Sequence, residues 1–257
     1  LRKDGYPVAA YGVAGEADWE NAVTAEVVIL PLPLCREGDT LNMEGEQRGV
    51  GALFHCLRRD QLILAGQVKP AQRTEALELD LNLIDYFKRE ELTVANAAAT
   101  AEGTVQVILE RLERSLLGSR CLVLGFGRVG RITAQRFAAL GARVSVAARK
   151  YDQLAWAQAM GFDPQPLSHL AGWLCGYDLV VNTIPAPVLT RRELEDLKPD
   201  CLILDLASKP GGVDQTAAGE LGLAVIWALA LPGKVAPVTA GAAIQTAIYN
   251  MLQELGQ

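Results

Sequence analysis

The stretch Gly125-Phe126-Gly127-Arg128-Val129-Gly130 has the spacing GxGxxG. It follows an apolar run, CLVL, and precedes a helix-forming segment, which is the context in which such a turn holds a pyrophosphate. Gly125 permits the tight turn, Gly127 lets the backbone approach a phosphate, and Gly130 allows close helix–strand packing. The helix that starts there offers unpaired amides and the positive end of its dipole. A tight turn without a ligand is the alternative. About twenty residues on, an acid would bond the ribose 2′-hydroxyl of NAD. Here the strand ends Ala147-Ala148-Arg149-Lys150. Cations suit the 2′-phosphate of NADP, which a guanidinium grips with two hydrogen bonds. Arg149 and Lys150 therefore favour NADP, unless they are solvated loop charges.

Three further strand ends carry polar groups. In an open α/β sheet, ligands lie beyond the carboxyl ends of the strands. The run DLVV ends in Asn182-Thr183-Ile184-Pro185, placed for the cofactor's nicotinamide side or serving as a capped turn. LILDLA runs into Ser208-Lys209-Pro210-Gly211-Gly212, a hydroxyl, a cation and exposed amides that suit a carboxylate. After the last strand, Leu231-Pro232-Gly233-Lys234 reads as a rigid loop at the same edge, with Lys234 a second candidate cation. The two histidines, His55 and His169, stand apart from any matching Ser or Asp motif, which argues against a hydrolase triad. The five cysteines are scattered, with no CxxC spacing, and no cluster has metal-ligand spacing, so no metal is expected.

These residues need strands and helices to hold them. From Cys121 onward, apolar strands (CLVLGF, ARVSVAA, YDLVVNT, CLILDLA, LAVIWAL) alternate with helical segments at 129–140, 152–160, 190–197 and 213–221. That alternation predicts a parallel sheet covered on both faces, a Rossmann-type doubly wound domain over 119–238. Upstream, 1–95 reads as a second α/β domain, flavodoxin- or Rossmann-like. Its strands are Pro7 to Tyr11, 25–34 and 62–68; it has a helix at 49–59 and a helix or mixed element at 77–94. The chain opens LRKDGYPVAAYG without an initiating Met, and we expect this domain to lack its first strand. Val105, Ile108, Leu109, Leu112 and Leu116 recur at helical spacing, predicting a long interdomain helix over 96–118. A last helix over 239–257, which Thr239 could cap, is expected to pack back on the first domain.

Composition narrows the function classes. Half of the 257 residues are apolar and 21% are charged, as in a soluble globular protein of two domains. The net charge of -6 argues against non-specific nucleic-acid binding. No apolar run approaches the roughly 20 residues of a membrane span. Unpaired cysteines and no secretory signal point to the cytoplasm.

Taken together, VLGFGRVG, FAALGARVSVAAR, VVNTIP, LILDLASKPGG and LPGKVAP resemble the dipicolinate synthase A family, as do VVILPLP and AEGT further upstream. The resemblance implies an NADP-linked oxidoreductase in the mother cell of a sporulating bacterium. It would act with the flavoprotein-like dipicolinate synthase B to form pyridine-2,6-dicarboxylate from a hydroxytetrahydrodipicolinate-type intermediate. For such a dicarboxylate, Lys209, Ser208, Lys234 and Thr104 are the candidate carboxylate-holding groups, with Lys209 also a catalytic candidate. Glu102 could assist proton removal, or it is merely a first-turn helix acid. A homo-oligomer is expected. Two other readings stay open: another NADP-dependent two-domain dehydrogenase acting on a hydroxy or amino acid, and a nucleotide-binding subunit without catalysis of its own.

Overall fold

Short apolar runs bounded by Gly, Pro and Asp become most of the strands, and helices between them cover the two parallel sheets. A computed structural model describes residues 1–13, 15–36, 38–45 and 47–256. The chain forms two compact units, Leu1–Thr93 with Gly241–Gln257, and Val94–Ala240.

The first unit opens with a hairpin of β1 (Tyr11–Val13) and β2 (Glu16–Ala17), followed by α1 (Trp19–Thr24). Three parallel strands then form its sheet in the order β3 (Val27–Ile29), β4 (Leu62–Ala65), β5 (Asn82–Asp85). Helices α2 (Val50–Phe54) and α3 (Pro70–Glu78) are the crossovers. The central strand β4 is buried along its whole length, as an all-apolar parallel strand must be. The Asp85 carboxylate ends β5 by accepting the amides of Gln67, Val68 and Phe87 at 3.0, 3.1 and 3.0 Å. Helix α4 (Glu90–Arg111) carries the chain into the second unit.

The second unit holds six parallel strands: β6 (Arg120–Leu124), β7 (Arg143–Ala148), β8 (Asp163–Pro166), β9 (Leu179–Asn182), β10 (Leu202–Asp205) and β11 (Ala224–Trp227). Their order is β11-β10-β9-β6-β7-β8, so the chain reverses direction across the sheet between β6 and β9. The helices between them are α5 (Arg128–Ala139), α6 (Tyr151–Ala159), α7 (Arg191–Leu194) and α8 (Gln215–Glu220). Alternation along each strand feeds two cores. Cys121, Val123, Val146 and Val181 pack with Phe137 of α5 and Ala157 of α6. Leu122, Leu124, Val180 and Ile203 pack on the opposite face with Leu194 of α7 and Ala217 of α8. A short α9 (Leu231–Val235) and the long α10 (Pro237–Leu255) complete the chain. Ala247, Ile248 and Met251 of α10 pack in the first unit with Leu62, Leu64, Tyr86 and Leu92. Among the described residues no helix is long and apolar enough to cross a membrane.

Several expected elements are redrawn. The helix expected over 96–118 runs from Glu90 to Arg111, started by Glu90 and Glu91 in its first turn, where acids meet the positive dipole end. Beyond Arg111 the chain leaves the helix, and Arg114 is drawn to Asp178 and Asp200. The 49–59 helix shrinks to α2, and 77–94 divides into the end of α3, β5, a 3-10 turn and the start of α4. The 25–34 strand contracts to Val27–Ile29, and the first strand begins at Tyr11. The segment around Lys234 is a helix rather than a loop. Ala230 turns the chain with φ of 57° and Pro232 sits in the first turn of α9, the one place where a helix tolerates proline. Thr239 does not cap the last helix, because α10 already begins at Pro237. Strand β8, DPQP, was not expected at all.

Candidate functional site

The carboxyl edge of the six-stranded sheet gathers most of the singled-out residues. From β7 across β6, β9 and β10 to β11, the loops at that edge are Arg149-Lys150, Gly125–Gly130, Thr183–Pro185, Leu206–Gly212 and Ala228–Ala230. The chain's reversal lies between β6 and β9, beside the Gly-rich turn, where doubly wound sheets open a crevice.

The Gly-rich turn has the geometry that a pyrophosphate needs. Gly125 has φ of 92°, and a Cβ there would meet Thr183 Oγ1 at 2.5 Å. A Cβ on Gly130 would run into the Gly125 carbonyl, so α5 can approach β6 this closely only with glycine. Above Gly127 a Cβ would meet nothing within 4 Å, so the backbone there is open to a ligand. Gly127 caps α5 without a side-chain hydrogen bond, leaving the first-turn amides available to an anion. Phe126 contributes backbone only: its ring is buried in the core against Phe162, with centroids 6.0 Å apart. Thr183 supports the turn from below, its hydroxyl donating to the Leu124 carbonyl at 2.8 Å. Arg128 and Val129 open α5, the arginine exposed.

At the end of β7, Arg149 and Lys150 are exposed, and neither side chain has a hydrogen bond or ion pair among the described residues. A phosphate dianion at this edge would therefore displace no internal partner. Three loops along the edge, Ser208 and Lys209 are likewise exposed. Lys234 is exposed in the last turn of α9.

The other expected side chains lie elsewhere or are already engaged. Asn182 is fully buried. Its amide donates to Asp205 at 2.8 Å and to the Ile184 carbonyl at 3.0 Å, and its oxygen accepts the Ile184 amide at 3.0 Å. It shapes the edge from beneath, and its partner Ile184 and the exposed Pro185 form the loop above. Thr104 is fully buried within α4, and its hydroxyl donates to the Thr100 carbonyl at 2.8 Å. Glu102 is an exposed mid-helix residue, not a first-turn acid, and stands 4.0 Å from Arg136. Arg136 lies eight residues beyond Arg128 in α5, about 12 Å down the helix axis from the Gly-rich turn. Glu102 thus borders an external groove between α4 and α5, with Val105, Leu109 and Leu140.

Asp205, the group that organises this edge, was not among the expected residues. Its carboxylate is 1% exposed and accepts Asn182 Nδ2, the Ala207 amide and the Gly212 amide at 2.8, 3.0 and 2.8 Å. The signal was an acid ending the otherwise apolar run LILD, six residues ahead of the Gly211-Gly212 pair. Beside the edge, Leu167, Ser168 and His169 face Val188, Arg192 and Glu193 across a cavity of about 420 Å³. Of the cysteines, Cys35, Cys121 and Cys201 are buried, and burial pushes the Cys121 and Cys201 thiols up to about 12. Neither is a thiolate nucleophile at neutral pH.

Residues 84–213 match the family model described as D-isomer specific 2-hydroxyacid dehydrogenase, NAD binding domain. The chain is 37% identical over 201 residues to dipicolinate synthase A of Bacillus subtilis (strain 168), a match spanning 78% of this chain and 66% of that one. The crystal structure of dipicolinate synthase A from Bacillus halodurans has a TM-score of 0.83 and 31% identity, covering 90% of this chain and 81% of that one. The chain belongs to the dipicolinate synthase A family. The Bacillus subtilis crystal structure gives the same fold, with a TM-score of 0.84, 30% identity and coverage of 93% and 81%. As a member of this family the chain carries a dehydrogenase-type domain for a nicotinamide dinucleotide.

Proposed function

We propose that the chain is an NADP-dependent dehydrogenase that converts a hydroxytetrahydrodipicolinate-type ring to pyridine-2,6-dicarboxylate during sporulation, with dipicolinate synthase B as its partner in the mother cell. The observation that carries the cofactor choice is the unpartnered Arg149-Lys150 pair at the end of β7, one strand from the Gly-rich turn. The substrate rests on family membership together with the exposed Ser208-Lys209 loop on the other side of that turn. Conversion to the aromatic ring removes one water, one hydride and one proton. A bound nicotinamide dinucleotide supplies the hydride acceptor.

The chain's own residues bind and orient. Backbone amides at the start of α5 hold the pyrophosphate, and Arg149 with Lys150 holds the 2′-phosphate. Ser208 and Lys209 hold a ring carboxylate through a hydroxyl and an ammonium, with Lys234 a further cation for the second. Gain of aromaticity favours the oxidation, so alignment of the reacting carbon is the protein's main task.

The test is a steady-state assay of the purified chain, alone and with dipicolinate synthase B, following NADP reduction. Hydroxytetrahydrodipicolinate should support turnover. Turnover with a simple hydroxy or amino acid and none with the ring substrate would assign the chain to a different dehydrogenase reaction. NADP binding with no reduction under any condition would make it a nucleotide-binding subunit.

A further inference from the structure

The loop Leu206–Gly212 leaves the sheet at β10 and returns over it, and both of its ends are tied to one side chain. Asp205 accepts the Ala207 amide at the loop's start and the Gly212 amide at its end. Trp227 of β11 adds a third tie, its indole N–H donating to the Ala207 carbonyl at 2.8 Å. Within the loop, the Gly211 amide donates to the Ser208 carbonyl at 2.9 Å, closing a tight turn with Ser208 and Lys209 at its tip. The return is close: a Cβ on Gly211 would lie 2.9 Å from Asp205 Oδ2, and one on Gly212 would meet Asn182. The Gly212 carbonyl in turn accepts the Val188 and Leu189 amides, each at 3.0 Å.

Asp205 is an unusual choice for such a post. No cation pairs with this buried carboxylate among the described residues, and burying an unpaired charge is costly unless hydrogen bonds satisfy it. Here backbone amides and Asn182 do so. Asn182 also grips Ile184 through its amide and its oxygen. One buried Asp–Asn pair therefore holds the loops after β9 and β10 together, while the exposed side chains of Ser208 and Lys209 make no bond among the described residues that would fix them.

We propose that Asp205 is a positioning residue which, with Asn182 and Trp227, sets the stance of Ser208 and Lys209 toward the substrate carboxylates. This rests on the reading that those two residues bind carboxylates. The test titrates dipicolinate and NADP separately into the full chain and into Asp205→Asn, Lys209→Ala and the double variant. Asp205→Asn keeps the shape but turns one acceptor into a donor, breaking one loop tie. Dipicolinate binding should weaken about 10- to 100-fold with NADP affinity retained. The double variant should lose less than the sum of the two single losses, because Asp205 acts in part through the Lys209 side chain. Fully additive losses, an unchanged dipicolinate affinity in Asp205→Asn, or equal losses for NADP and dipicolinate would each overturn the proposal.

If Asp205→Asn does not fold, Trp227→Phe removes a single donor and enters the same cycle with Lys209→Ala, judged by the same outcomes. If Lys209→Ala alone binds dipicolinate normally, the carboxylate reading fails and the proposed stance toward substrate falls with it. Hydrogen exchange separates that result from a failure of the fastening itself. The Ala207 and Gly212 amides should exchange faster in Asp205→Asn, and unchanged exchange would show that Asp205 does not hold the loop.

Discussion

Arg149 and Lys150 matter because of what they lack. A cation held in an internal ion pair must give up that partner to meet a ligand, whereas these two have none to give up among the described residues. Arg149→Asp replaces an attraction to a phosphate dianion with a repulsion. NADP affinity should fall about 10- to 100-fold while NAD affinity changes little, a contrast that weakens in high salt. Fluorescence titration of both cofactors checks this, and equal losses would sink the NADP assignment. At this scale the sequence was informative wherever the backbone does the work. Gly125 and Gly130 could be read because a tight turn and a close helix demand glycine in order. Thr104, Asn182 and Asp205 could not. Whether a hydroxyl or carboxylate faces a ligand or its own backbone depends on burial, and the sequence pattern around Thr104 is the same in either case.

Asp178 shows how tertiary charge sets element boundaries. It sits just before β9 with its side chain 14% exposed, bonded to Arg114 at 2.8 Å, to Lys198, and to the Arg120 amide of β6 at 2.7 Å. Burial alone would push its carboxyl up. The Lys198 hydrogen bond, the Arg120 amide and the charges of Lys198 and Arg114 outweigh that and hold it below the ordinary range. A carboxyl depressed in the folded state adds stability that is present above its unfolded value, about 3.9, and is lost as pH falls through the lower folded value. Asp178→Asn should therefore cost about 2 kcal/mol near neutral pH, and the gap to the unaltered chain should close below about pH 4. Urea unfolding at several pH values measures it; a gap that persists in acid would contradict this account. The same cluster explains why apolar spacing overran the end of α4. Leu112 and Leu116 keep the helical period, yet Arg114 is drawn to Asp178 and Asp200, and periodicity cannot register such a distant partner. The inner strands β6, β9 and β10 were legible for the opposite reason, since each is an apolar run almost wholly buried.

Across the whole molecule, the chain builds most of one unit, builds the second, and returns to the first through α10. The net charge of -6 leaves the basic groups at the carboxyl edge as local exceptions rather than part of a cationic surface. The six-stranded sheet ends at β8, whose register pairs Val146 with Pro164 and Ala148 with Pro166. Proline has no N–H, so the strand survives only if Pro164 and Pro166, two apart and facing the same way, turn from β7 toward the open side. That spacing hid β8 from any reading by strand propensity. Its consequence is protective. The outer rim of the sheet offers carbonyls but no donors at those two positions, so an incoming strand finds no ladder to extend. Pro164→Val with Pro166→Val restores those donors, and the variant should scatter light on incubation at concentrations where the unaltered chain stays clear. Equal clarity would mean that something else guards the rim. Two residues that confer no chemistry thus deny an incoming strand two ladder donors along this edge of the sheet.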